Sequence, residues 1–241
     1  MDLTRSAMEY IAELRAPEII ELNGERYSDK ELHRIPWNQL AEPLQVSTLT
    51  SLVDYIKSNV DEAESRMLVH VVSPTEVRLI SCLDLDRRRE MLVRAVADLP
   101  RFTYGEYMGH EKFLISLQSM FMPGEDRQLL LKFAGTVKSG SIAEYGDDGV
   151  TQKATVKSGI ASATDAVVPN PVSLRPYRTF LEVEQPESAF VFRMKESDRD
   201  GVQCAIFEAD GGIWKCEAMR NVAEYIRGEL EGMEGLYTVI Y

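Results

Sequence analysis

Residues 167–193 read VVPNPVSLRPYRTFLEVEQPESAFVFR, a composition that suits neither a regular helix nor an ordinary linker. Pro169, Pro171, Pro176 and Pro186 each fix φ and remove a backbone donor. Each also pushes its predecessor toward extended geometry. The segment 167–178 is therefore predicted to run extended, partly polyproline-like, into a strand at 188–194. Val167, Val168, Val172, Leu174, Phe180, Leu181 and Val183 make it too apolar for a flexible linker. Two readings remain open. Arg175 and Arg178 flank Tyr177, and guanidiniums beside an aromatic can grip an anion while the ring stacks on a base or sugar. Alternatively the segment is a structural strap whose arginines lie over aromatic surface and satisfy carbonyls. Arg175, Tyr177 and Arg178 are the candidate ligand-binding residues.

The rest of the chain alternates local signals. Leu3, Ala7, Ile11 and Leu14 recur at helical spacing before Pro17. EIIELNGERYS then carries Asn23-Gly24, the turn pair that supplies the positive φ angles of a hairpin. Residues 33–44 look irregular. Ser47 is a candidate cap for a helix whose apolar face is Leu49, Leu52, Val53, Ile56 and Val60. A second hairpin is expected around Ser73-Pro74. Residues 84–98, DLDRRREMLVRAVAD, read as a helix with Leu85, Met91, Leu92 and Ala95 or Val96 inward. Two helices follow over 109–134, interrupted at Pro123-Gly124. From 136 the segments alternate polar and apolar residues, with a hairpin around Gly146-Asp147-Asp148-Gly149. ESAFVFRMK and VQCAIFEA are strands joined at 197–201, Gly211-Gly212 is a turn, and 217–231 is a helix carrying Ala218, Val222, Ile226 and Leu230. GLYTVIY is a final strand.

The expected fold class is α+β. Helices with short hairpins make up the N-terminal part, and the C-terminal part is mostly antiparallel and strand-rich, with one helix before a final strand. A soft boundary near 135 separates a mixed helix/hairpin region, 1–135, from a strand-rich region, 136–241; the two can also form one continuous domain.

The formal charge of −12 argues against bulk double-stranded DNA or an anionic membrane as partner, since like charges repel. Cys82, Cys204 and Cys216 are widely spaced, and so are His33, His70 and His110, so neither a zinc site nor a disulfide framework is suggested. Reduced, mostly buried thiols point to a cytoplasmic protein. The opening MDLTRSAMEYIAEL lacks the charged start and apolar middle of a signal peptide. No apolar run has the length of a membrane-spanning helix.

Catalytic signatures are sparse. Asp147 and Asp148 could hold magnesium or act as an acid and base, but Asp-Gly is also a standard hairpin turn. Glu208 and Asp210, in EADGGIW, are open to the same two readings. Three consecutive arginines, Arg87, Arg88 and Arg89, either bind phosphate or start a solvated helix paired with Asp84, Asp86 and Glu90. No GxSxG elbow and no HExxH pair occur. No cofactor is implied.

GDDGVTQKATVKSG, VPNPVSLRPYRTFLEVEQPESAFVFR and FEADGGIWKCEAMRNVAEYI, with APEIIELNG and SPTEVRLIS before them, resemble a family of proteins from tailed phages and prophages of Gram-positive bacteria. No activity is assigned to that family, so no functional residue transfers. The resemblance implies an intracellular protein made during infection, among early genes serving phage DNA metabolism or counter-defence. The expected function is that of a non-enzymatic, homo-oligomeric accessory protein binding a host or phage protein or a small nucleotide. One form of it is counter-defence, by sequestering a signal nucleotide or occluding an effector. A single-stranded nucleic-acid accessory is an alternative, with Lys138, Lys153, Lys157, Arg175, Arg178, Arg193 and Lys195 lining a groove. A metal-dependent enzyme using Asp147, Asp148, Glu208 and Asp210, or a virion component, are further alternatives.

Overall fold

A computed structural model describes residues 5–13, 17–31, 40–62, 65–85, 87–136, 142–147, 152–157, 163–167, 170–197, 199 and 201–241. In chain order the elements are α1 (Arg5–Glu13), β1 (Ile19–Leu22), β2 (Glu25–Ser28), β3 (Leu44–Val46), α2 (Leu49–Ser58), β4 (Met67–Ser73), β5 (Glu76–Ser81), β6 (Met91–Val96), β7 (Met108–Gly109), α3 (His110–Ser119) and α4 (Glu125–Thr136). Then come β8 (Ile142–Asp147), β9 (Gln152–Lys157), β10 (Ala163–Val167), β11 (Val172–Leu174), β12 (Ser188–Ser197), β13 (Gly201–Glu208), α5 (Trp214–Glu229) and β14 (Tyr237–Ile240). The class is α+β. No described helix is long and apolar enough to cross a membrane. The chain divides into two compact units, Met1–Leu40 and Ala41–Tyr241.

The first unit contains α1 and the antiparallel β1–β2 hairpin. Its turn forms where the sequence places it, with φ of +56° at Asn23 and +82° at Gly24. The hairpin base is closed by Glu18 N–H donating to Asp29 Oδ1 (2.7 Å) and Asp29 N–H to Glu18 O (3.2 Å).

The second unit holds two packed cores. In one, the five-stranded sheet β14-β4-β5-β6-β3 is covered on one face by α2 and α5. Leu49, Leu52 and Ile56 of α2 and Val222, Ala223 and Ile226 of α5 bury Val69, Val71, Val77, Leu79, Val93 and Ala95. β4, β5 and β6 form an antiparallel meander, while β14 and β3 add parallel to its two sides. In the other core, α3 and α4 pack on the sheet β11-β12-β13-β7 through Phe113, Leu117, Phe121, Leu130 and Phe133 against Phe190, Phe192, Cys204 and Ile206. A third sheet, β10-β9-β8, is antiparallel throughout.

Several expectations change on contact with this fold. Residues 84–98 are not a helix. Their described residues up to 90 form a tight loop, and β6 follows, with inward residues Val93 and Ala95 that alternate rather than repeat at three and four. Leu85, expected inward, is 98% exposed. The cause lies at long range: β6 completes the meander by pairing Leu79 with Val93 and Val77 with Ala95, and tertiary pairing outweighs a local period. The arginine run belongs to that loop. Arg88 Nε and Nη2 reach Asp84 Oδ2 at 3.2 and 3.1 Å, and Arg89 Nη1 donates to Ser81 O at 2.9 Å. Glu90, expected to pair with an arginine, accepts instead from Ala41 N–H at 2.7 Å. Asp86 and residues 33–39 lie outside the described residues. The α2 cap is Thr48, not Ser47, with its Oγ1 accepting from Ser51 N–H at 3.1 Å. Val60 falls beyond the left-handed Asn59 that ends α2 and is exposed. Gly135 sits inside α4, and α5 starts at Trp214, ahead of the expected residue 217.

Candidate functional site

The proline-rich segment is laid across both cores of the second unit. At its start, β11 pairs with β12. Met122 N–H then donates to Arg175 O (2.8 Å), Tyr177 N–H to Met120 O (2.9 Å) and Ser173 N–H to Asp126 Oδ2 (2.7 Å), so the chain straps the α3–α4 junction. Immediately afterwards it enters the other core. Phe180 is fully buried there among the α2 and α5 side chains, and Thr179 Oγ1 donates to Pro74 O (2.5 Å) at the β4–β5 turn. Glu182 Oε1 accepts from Leu49 N–H (2.8 Å) and Thr50 N–H (3.3 Å), placing a carboxylate on the exposed donors that begin α2. Asn221 Nδ2 of α5 donates to Glu184 O at 3.1 Å.

The three candidate ligand residues differ in burial. Arg175 and Tyr177 are half-buried, while Pro176 and Arg178 between and after them are buried. Arg175 Nη2 reaches Pro123 O at 3.4 Å, and Nη1 stands 4.0 Å from Glu184 Oε1. Arg175 also lines a cleft of about 390 Å³ with Pro123, Asp126, Arg127 and Glu187. Three acids, Glu125, Asp126 and Glu187, line the same cleft, which leaves it no net attraction for an anion. Arg178 goes elsewhere, and its polar partners, Glu208 and Ser188, are not those of Arg175.

Arg178 is the centre of a closed cluster. Its side chain is 8% exposed, with the guanidinium carbon 3.8 Å from the Trp214 ring centre and 5.6 Å from that of Phe190. Nη1 donates to Glu208 Oε1 at 3.1 Å, and Nη2 donates to Ser188 Oγ. Ser188 Oγ in turn donates to Asp210 Oδ2 (2.6 Å), and Asp210 Oδ1 accepts from Gly212 N–H (3.0 Å). Tyr104 stacks on Phe190 at 5.5 Å. Burial lowers the affinity of the Arg178 guanidinium for its proton, a pull opposed by Tyr104, Asp210, Glu208 and Glu217. Burial pushes the Tyr104 hydroxyl up. Burial also works against ionised Asp210, but the hydrogen bonds from Ser188 and Gly212 and the Arg178 charge hold its carboxyl below the usual range. Two buried donors, Arg178 Nε and Trp214 Nε1, have no acceptor among the described residues. The cluster is a latch: every charge in it answers another charge of the same chain, and the serine at its centre is buried.

Other candidates separate in the same way. Glu208 and Asp210 surround Arg178. Asp147 ends β8 opposite Gln152, and Asp148 lies outside the described residues. Among the described residues no group of three or more His, Cys, Asp and Glu could hold a metal ion. Of the proposed nucleic-acid groove, Arg193 Nη1 donates to Phe192 O (3.0 Å) and Lys195 Nζ stands 4.1 Å over the Tyr107 ring. Lys153 and Lys157 lie on β9, and Lys138 is outside the described residues. Sequence reasoning missed Ser188, Gln185 and Trp214, whose roles depend on contacts that no local pattern records.

The first unit presents a different kind of surface. Its hairpin register puts Ile20 opposite Tyr27 and Leu22 opposite Glu25 on one face. Ile20, Leu22 and Tyr27 are each about half exposed or more, and so are Ile19, Met8 and Tyr10. The other face carries the Glu21–Arg26 pair at 3.8 Å. No family model matches the chain, and neither does any curated protein or solved structure.

Proposed function

We propose that this chain is a non-enzymatic accessory protein that acts by binding another protein through its N-terminal helix–hairpin unit. The observation that carries this reading is the uncovered apolar face of Ile20, Leu22 and Tyr27 on the β1–β2 hairpin. A two-stranded hairpin is marginal in water by itself. Domains of about 40 residues or fewer usually need a disulfide, a metal or a partner to be stable. An apolar face rimmed by charge is what a docking element presents before it is covered. Glu25 lies on that face beside Leu22 and Tyr27, and Glu18 and Asp29 close the hairpin base, so the fitting partner offers an apolar groove with a basic rim. On the expectation of a phage or prophage context, the partner is to be sought among host or phage proteins of an infected cell, where occluding an effector would be one use.

The test compares the full-length protein with an Ile20→Asp/Leu22→Asp variant as bait in infected-cell extract. The expected result is a partner held by the native chain and lost by the variant, at equal melting temperature of the 41–241 unit. Identical capture by both proteins would overturn the reading.

A further inference from the structure

The face of the five-stranded sheet opposite α2 and α5 carries Leu68, His70, Arg78, Ile80 and Arg94, all partly exposed. At its edges Thr238, Ile240 and Gln45 are exposed. Register places His70 opposite Arg78 and Arg78 opposite Arg94. Three neighbouring strands thus align two fixed cations and an imidazole over about 10 Å. Like charges directly opposite one another destabilise a sheet. Within this row one carboxylate serves both arginines. Glu76 Oε1 accepts from Arg78 Nε at 2.7 Å and from Arg94 Nε at 2.9 Å, and Glu76 Oε2 accepts from Arg94 Nη2 at 3.0 Å.

That arrangement has a direction. Glu76 holds both guanidiniums by their inner edges, and its own side chain is only 16% exposed, against 38% and 39% for Arg78 and Arg94. Both Nη atoms of Arg78 and Nη1 of Arg94 have no partner among the described residues. Two cations and one anion leave one positive charge in place on a chain of net charge −12. Guanidinium forks fixed in this way match the oxygens of a phosphate, which accepts paired N–H bonds. Leu68 pairs with Ile80 one step along the same face, an apolar strip beside the charged one. The acidic chain as a whole repels a long polyanion, so a small ligand fits better than a nucleic-acid strand.

We propose that Arg78 and Arg94, tethered by Glu76 and flanked by His70, form a site for the phosphate group of a small molecule. This site does not rest on the hairpin reading above.

The test is calorimetric titration of the full chain at low salt with pyrophosphate and, separately, with ADP. Both ligands should bind, more weakly as salt rises. Arg78→Gln and Arg94→Gln should each weaken binding at least about tenfold, while Arg101→Gln, on an exposed segment away from the row, should not. Circular dichroism of each variant establishes that it is folded, and Arg78→Lys, which keeps the charge and loses the fork, should bind at an intermediate level. Tighter binding of ADP would assign the site to a nucleoside phosphate resting on Leu68 and Ile80. Equal binding would assign it to phosphate alone. Absence of binding for both ligands, binding indifferent to the arginine substitutions, or binding of an oligoglutamate peptide in place of the phosphates would overturn the proposal.

Discussion

The Arg178 guanidinium stacks on Trp214, its central carbon 3.8 Å from the ring centre, and this contact ties the strap to the first turn of α5. A desolvated stack of this kind contributes about 2 kcal/mol. The Glu208 carboxylate is 41% exposed and can return to water when its partner is lost, which limits the damage. Arg178→Ala is therefore expected to destabilise the protein by about 2–3 kcal/mol in urea unfolding. Arg178→Met, which fills the same space without a buried charge, should cost less than about 1.5 kcal/mol. Trp214→Phe keeps a ring under the guanidinium and removes a buried N–H that lacks an acceptor, so its effect should be small. Equal losses for Met and Ala would show that charge, not packing, holds the latch.

Gln185 is 2% exposed and works entirely on the backbone of the strap. Its Oε1 accepts from Arg178 N–H (3.0 Å) and Thr179 N–H (3.2 Å), and its Nε2 donates to Thr179 O (3.3 Å), Phe180 O (3.0 Å) and Val183 O (3.3 Å). Leucine there would strand two buried donors, at about 1–3 kcal/mol each. Gln185→Leu should lower stability by about 2–6 kcal/mol by the same measurement. Gln185→Glu should be worse at neutral pH and recover partly in acid, where a protonated carboxyl regains a donor. A Gln185→Leu protein of native stability would mean the strap is held by apolar contacts alone.

How much of this was legible varied with range. The Asn23-Gly24 and Ser73-Pro74 turns are written in two residues each, and both hairpins form where those residues stand. The extended course of 172–174 into the strand from Ser188 follows from proline spacing and apolar content. Which way Arg178 faces does not, because the answer depends on Trp214 and Glu208 in distant elements. Gln185 carries no sequence signal, since its partners are main-chain atoms. The Arg78–Arg94 row is equally silent: the two residues become neighbours only once β5 and β6 choose a register. At 84–98, Met91, Leu92 and Ala95 satisfy helical spacing, and only the open side of β5 decides for a strand.

Glu76 predicts a pH response. The hydrogen bond from Arg94 is the main cause that lowers its carboxyl from 4.5 to about 2, with Arg78 adding to it and burial opposing. A group held below its unfolded value stabilises the fold where both states are ionised. That contribution is complete above about pH 4.5 and disappears as the pH falls through about 2. Glu76→Gln should therefore be less stable than the native chain at pH 7, with the gap closing toward pH 2. It also leaves Arg78 and Arg94 opposed without a counter-charge, so added salt should recover part of the loss at pH 7. A stability difference that stays constant from pH 7 to pH 2.5 would separate Glu76 from this acid transition.

Leu85 and Val93 give the most direct check on the segment where sequence and structure part. A helix over 84–98 would bury Leu85 on the same face as Leu92. In the fold, Leu85 is 98% exposed in a loop, while Val93 is fully buried at the centre of the meander. Leu85→Glu should change stability by less than about 0.5 kcal/mol, as surface substitutions do. Val93→Ala removes two buried methyl groups beside Leu79 and should cost about 2 kcal/mol. Amide hydrogen exchange adds an independent readout. Protection should cover Leu92 to Val96 and be absent at Leu85, because a strand at 91–96 fixes those amides, whereas the Leu85 amide has no acceptor among the described residues. Strong protection running unbroken from 85 to 96, with a large penalty for Leu85→Glu, would restore the helix.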